Sequence, residues 1–123
     1  LVYDSRDNCN AIIETEKNNL IVGCVNTIIP KDVVAIEDYA FFGVKIKNII
    51  IPLSIISIGL FAFDTFELEN IFYEGDFLKW EKLSVRNKKG YSQFVCFYSE
   101  TKPIDKLGKY WHYVDGKPVI WNN

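Results

Sequence analysis

The sequence predicts an α/β solenoid: a short coil with one parallel strand per 22-residue unit, helical or 3₁₀ returns, and caps outside the repeat. Two observations carry this. First, residues 30–49 and 52–71 are copies of one pattern, with Pro30/Pro52, Val34/Ile56, Ile36/Ile58, Ala40/Ala62, Phe41/Phe63, Ile46/Leu68, Asn48/Asn70 and Ile49/Ile71 recurring at a spacing of 22. A fixed period of this size is the signature of stacked units. Second, residues 26–29, 48–51 and 70–73 occupy the same place in three successive units, are rich in β-branched and aromatic side chains, and are followed in the first two by Pro30 and Pro52. They read as parallel strands, one per turn. Between them, Ile36, Tyr39 and Ala40, and then Ile58 and Ala62, fall at spacings that fit a short helix or 3₁₀ turn crossing the back. Alanine at both 40 and 62 would let that helix lie close over its strand.

The remaining elements follow in order. Residues 11–15 and 20–24 are short apolar runs separated by a polar segment, a hairpin pattern. Residues 1–23 are thus an N-terminal cap or divergent repeat, 24–75 the repeats and 76–123 a C-terminal cap, all within one domain, 1–123. In the last part Phe77, Trp80 and Leu83 at three-residue steps predict a helix, and residues 86–90 a polar loop. Residues 94–98 read as a strand. Asp115 and Gly116 between residues 110–114 and 118–121 predict a hairpin, because such a turn needs positive φ at both central residues.

The unit Ile-x-Ile-Pro-x-x-Val-x-x-Ile-x-x-x-Ala-Phe is matched closely by residues 49–63, and by residues 27–41 apart from Thr27; residues 71–75 keep only its opening. With these residues the chain resembles the leucine-rich repeat proteins of the BspA-like class. The resemblance implies a secreted or surface protein, of bacteria or of some parasites, that binds other proteins or host matrix. It also implies that the chain is the C-terminal repeats and cap of such a protein. The Cys that often follows Phe-x-Gly in the class is absent here, with Val44 and Phe66 nearby instead.

Composition excludes several functions. Fourteen basic against sixteen acidic residues give a net charge of −2, and the lysines are dispersed, which argues against nucleic acid as a partner. The longest apolar stretch, 49–63, is interrupted by Pro52, Ser54, Ser57 and Gly59 and falls short of the roughly 20 residues of a spanning helix. The chain opens on Leu1 without a signal-like segment, which points to a mature product or a piece of a longer protein. The glycines form no phosphate-binding run, so no nucleotide cofactor is expected. Cys9, Cys24 and Cys96 lack metal-ligand spacing, and no metal is expected. Cys24 falls in register with Ile46 and Leu68, so it reads as a small buried apolar residue, and Cys9 could reach it across the N-terminal hairpin. His112, the one histidine, has no nucleophile beside it in sequence, and no catalytic residue is identified.

Strand alternation supplies the candidate site. If Ile49 and Ile51 enter the core with Thr27/Ile29 and Ile71/Tyr73, the other parity forms two columns on the open face: Asn26, Asn48 and Asn70, and Ile28, Ile50 and Phe72. The opposite register would bury three asparagines. The apolar column is a candidate surface for a protein partner, of host or cell-surface origin. The bland reading has the asparagines bonding along the sheet and the apolar column covered by the terminal segments. Lys45 and Lys47 stand one unit before Glu67 and Glu69, so stacking would bring each Lys beside a Glu. The expected function is a non-catalytic protein-interaction or surface scaffold module. The alternative is carbohydrate binding on Tyr110, Trp111, Tyr113 and Trp121, although alternation would bury about half of those rings.

Overall fold

Where units of equal length stack, each return has its copy beside it, and the backbone can bond between units as well as within them. The structure, a computed structural model describing residues 1–105 and 108–122, does both. β4 (Ala35–Ile36), β6 (Ser57–Ile58) and β8 (Ser84–Val85) pair in parallel. They extend an antiparallel N-terminal meander of β1 (Tyr3–Asp4), β2 (Ala11–Glu14) and β3 (Asn19–Gly23), giving a six-stranded sheet ordered β1-β2-β3-β4-β6-β8. The second sheet has five strands. Its β5 (Asn48–Ile51), β7 (Asn70–Tyr73), β9 (Val95–Tyr98) and β10 (Tyr110–Val114) run parallel, and β11 (Lys117–Ile120) returns antiparallel to β10.

This corrects the expected α/β solenoid. The architecture is two discrete β-sheets, and the returns are neither helical nor 3₁₀. After β4 and β6 each return is a turn containing an aromatic residue at positive φ, Tyr39 at 61° and Phe61 at 54°, which no right-handed helix accommodates. Their backbone groups bond from one unit to the next. Ile56 N–H donates to Val34 O (2.8 Å), Gly59 N–H to Ile36 O (2.8 Å), Tyr39 N–H to Leu60 O (2.9 Å) and Phe41 N–H to Ala62 O (2.7 Å). Gly59 is required for this approach, because a Cβ there would collide with the Asp38 backbone N and carboxylate. The described α-helices are two short ones in the non-repeating part: α1 (Phe77–Glu81), capped by the Asp76 carboxylate accepting from Lys79 N–H at 2.9 Å, and α2 (Lys88–Tyr91).

A second correction concerns residues 26–29, which share the strand pattern yet form no strand. The N-terminal segment competes for their polar groups. Ile28 N–H donates to Cys9 O (3.0 Å), and the Thr27 hydroxyl donates to Asn10 O (2.7 Å) while accepting from Cys24 N–H (2.7 Å). Cys24, expected inside, is exposed, whereas Cys9 and Cys96 are buried; all three are free thiols. The Lys–Glu stacking also resolves differently: Lys47 O accepts from Glu69 N–H at 2.7 Å, so the units do stack. Among the described residues, however, the ion pairs are Arg6–Asp4 (2.6 Å), within the N-terminal segment, and Arg6–Asp32 (3.1 Å), which ties that segment to the repeat.

The core fills the space between the two sheets. Ile49, Ile51, Ile71 and Tyr73 enter it from the second sheet, the register that strand alternation predicts, with Ile36 and Ile58 entering from the first. Phe41 and Phe63 stack with centroids 5.1 Å apart, and Tyr91 of α2 supplies the next rung at 6.1 Å. Tyr91 Oη accepts from Phe63 N–H at 3.3 Å, so a non-repeating residue completes the repeating column.

Candidate functional site

On the open face of the second sheet the two predicted columns meet different fates. The asparagines bond along the sheet: Asn70 Nδ2 donates to Asn48 Oδ1 (2.9 Å), and the Cys96 thiol lies 3.7 Å from Asn70 Oδ1. Asn26, outside the sheet, is exposed. In the apolar column Ile28 is 72% exposed, Ile50 is half-buried and Phe72 is 5% exposed. Phe72 is covered by Trp111, with ring centroids 5.2 Å apart. Trp111 is itself fully buried, and its Nε1–H donates to Tyr73 O at 2.7 Å, an enclosed bond that fixes the ring over the sheet.

Ile28, Asn48 and Ile50 line a groove of about 220 Å³ whose floor reaches Phe72. Lys31, Glu74, and Tyr113 and Pro118 of the β10–β11 hairpin also line it. The hairpin turn forms because Asp115 (φ 50°) and Gly116 (φ 77°) both adopt the left-handed conformation. Tyr113 is held in place by its hydroxyl, which donates to the Glu74 carboxylate at 2.5 Å. Burial, and then the neighbouring carboxylate, push the Tyr113 phenol well above its usual range, so it remains a neutral donor. Asn26 and Asn70 do not line the groove. Lys31, Glu74 and Pro118 were not foreseen from sequence, and Tyr113 was named there only for carbohydrate binding: the hairpin was legible in Asp115-Gly116, but its position beside residues 28 and 50 depends on strand order.

The C-terminal aromatic residues are mostly engaged internally. The Trp121 ring stacks on His112 with centroids 3.6 Å apart, and its Nε1–H donates to Ser99 O at 2.7 Å. The Tyr110 hydroxyl donates to Asp105 at 2.8 Å. Burial raises the Cys96 thiol, which keeps it protonated and poorly nucleophilic. Among the described residues no group of three or more His, Cys, Asp or Glu could hold a metal ion, and no helix is long and apolar enough to cross a membrane.

Residues 20–106 match the family described as BspA type leucine rich repeat region (6 copies), a span that runs well past the two clear copies. No curated protein and no solved structure matches the chain significantly. With most of its length matched, and with buried Ile36/Ile58 and stacked Phe41/Phe63 in register, the chain belongs to the BspA-type leucine-rich repeat family, whose repeats are characteristically non-catalytic.

Proposed function

We propose that this chain is a protein-interaction module that receives its partner in the groove bounded by residues 28–31, strand β5 and the β10–β11 hairpin. The observation that carries the reading is the exposure of Ile28 beside Ile50 and Asn48 in a preformed apolar depression. Exposed apolar side chains gathered in a concavity are what protein recognition uses, and the Lys31 rim adds an ionic contribution to orientation. Family membership supports a secreted or cell-surface setting with a host or surface protein as partner. The second reading, carbohydrate binding on the C-terminal segment, is supported by the partial exposure of Tyr113 and Trp121.

The test compares wild type with an Ile28→Asp/Ile50→Asp variant, verified as folded by circular dichroism, in pull-downs from host and cell-surface extracts. Phe72 is left intact because it is buried. Loss of specific bands in the variant is the expected result. Equal recovery of every partner by both proteins removes the groove as the site, and selective loss with Trp121→Ala would favour carbohydrate binding.

A further inference from the structure

A second concavity, of about 140 Å³, opens between the return of the second repeat and helix α2, and it shares no lining residue with the groove. Buried Phe63 and Tyr91 form its floor, Phe61, 40% exposed, forms an apolar wall, and Asp64, Thr65 and Asn87 bring polar side chains to it. Those polar groups have capacity left over. Among the described residues the Asp64 carboxylate and the Asn87 amide make neither a hydrogen bond nor an ion pair. The Thr65 hydroxyl accepts from Glu67 N–H (3.3 Å) and keeps its own proton to donate. The Tyr91 hydroxyl, on a residue only 8% exposed, likewise accepts from Phe63 N–H (3.3 Å), and no described acceptor takes its proton. Burial pushes that phenol up, against the opposing Phe63 N–H and with the help of the Asp64 carboxylate, so Tyr91 remains a neutral donor. The Asn87 amide lies over Gly90, where a Cβ would come within 2.6 Å of Nδ2.

The concavity thus offers two hydroxyl donors, a carboxylate that accepts, and an amide that does both, around an aromatic floor and wall. An apolar side chain would strand the polar groups, and a simple ion would make no use of the rings. A sugar ring satisfies both, with hydroxyls along its edge and C–H groups on its face. At roughly 30 Å³ per water the space equals four or five waters, room for about one such ring. Charge narrows the class. Asp64 is the one charged residue lining the concavity among the described residues, so a sugar bearing carboxylate or sulfate is repelled. Lys88, next to Asn87 in sequence, directs its ammonium to Trp80 O and Glu81 O (3.1 and 3.0 Å), and Arg86 and Lys89 are exposed outside the lining. We propose that this concavity binds one ring of a neutral saccharide, with a C–H face on Phe61, two adjacent hydroxyls on Asp64 and others on Tyr91, Thr65 and Asn87. It is a saccharide site apart from the C-terminal rings, and it neither uses nor needs the groove.

The probes are the methyl glycosides of glucose, galactose and mannose, titrated into the whole chain up to high millimolar concentration and followed by amide NMR shifts. At least one should bind and shift the amides of residues 61–65 and 87–91. Asp64→Asn removes the charge from an exposed side chain, and Phe61→Asn removes the ring while suiting the positive φ of 54° at that position. Each should leave Tm close to that of wild type and weaken binding at least about tenfold, through loss of a charged hydrogen bond or of the stacking face. The uronic acid glycoside of whichever sugar binds should bind several-fold more weakly, and Ile28→Asp/Ile50→Asp, which tests the groove, should bind the sugar as wild type does. Absence of shifts with all three glycosides, or binding that Asp64→Asn and Phe61→Asn leave undiminished, overturns the proposal. Binding lost with Trp121→Ala but kept in both of those variants overturns it by placing the sugar on the C-terminal segment. A uronic acid glycoside that binds as tightly as the neutral one overturns the neutral class.

Discussion

Arg6 shows how one side chain can fasten a terminal segment. Its Nε and Nη2 donate to the two Asp4 carboxylate oxygens (2.7 and 2.6 Å), while Nη1 reaches Asn18 Oδ1 (2.6 Å) and Asp32 (3.1 Å). The hydrogen bonds from Arg6, and then from the Thr15 hydroxyl, hold the Asp4 carboxyl well below the usual carboxylate range. A depressed folded-state pKa stabilises fully above the unfolded value of about 4, and the contribution is lost as pH falls through the folded value. Asp4→Asn should therefore lower Tm at neutral pH, and its gap from wild type should shrink as pH drops below about 4. Equal melting temperatures at pH 7 would show that this exposed network adds nothing, as many surface pairs do.

Among the elements, the paired returns have the most at stake. Phe63 lies between Phe41 and Tyr91 with almost no exposure, so its removal leaves a cavity that two aromatic neighbours cannot both fill. Phe63→Ala should cost about 3–5 kcal/mol in equilibrium unfolding. Gly59→Ala tests the inter-unit bonding instead of the packing. Its methyl group would drive the unit off the Asp38 backbone and break the Gly59–Ile36 and Leu60–Asp38 bonds, at a cost of about 1–3 kcal/mol. A change below about 1 kcal/mol for Phe63→Ala would remove that ring from the core.

For the molecule as a whole, Trp111 links the terminal hairpin to the repeat. It covers Phe72, touches Tyr98 and Tyr113 and bonds Tyr73 O, so β10 belongs to the same packed face as β7. Trp111→Ala should destabilise the chain by about 3–5 kcal/mol and expose Phe72. Because the hairpin shares the second sheet, thermal unfolding followed by near- and far-ultraviolet circular dichroism should remain one coincident transition at lower temperature. Two separated transitions would mean that residues 110–120 fold independently of the repeats.

How far the sequence reaches can be judged from particular residues. Local chemistry was enough for the spacing of 22, the inward register of Ile49 and Ile51, the rungs Ile36/Ile58 and Phe41/Phe63, and the Asp115-Gly116 hairpin. Each depends on periodicity or turn geometry within a few residues. The columns on the open face followed from alternation, but their exposure did not: Phe72 is covered and Ile28 left open because of where Trp111 and Cys9 arrive from distant parts of the chain. The returns were misread for the same reason. Ile36, Tyr39 and Ala40 fit a helical spacing, yet the neighbouring unit offers hydrogen-bond partners that a lone segment lacks, and the turn closes with Tyr39 and Phe61 at positive φ. Sequence alone determined which residues repeat and which way Ile49, Ile51, Ile71 and Tyr73 point from their strands, since those follow from side-chain chemistry and period. Only tertiary structure decided whether each backbone bonds within its unit or to the next, because that outcome depends on competition among segments far apart in the chain.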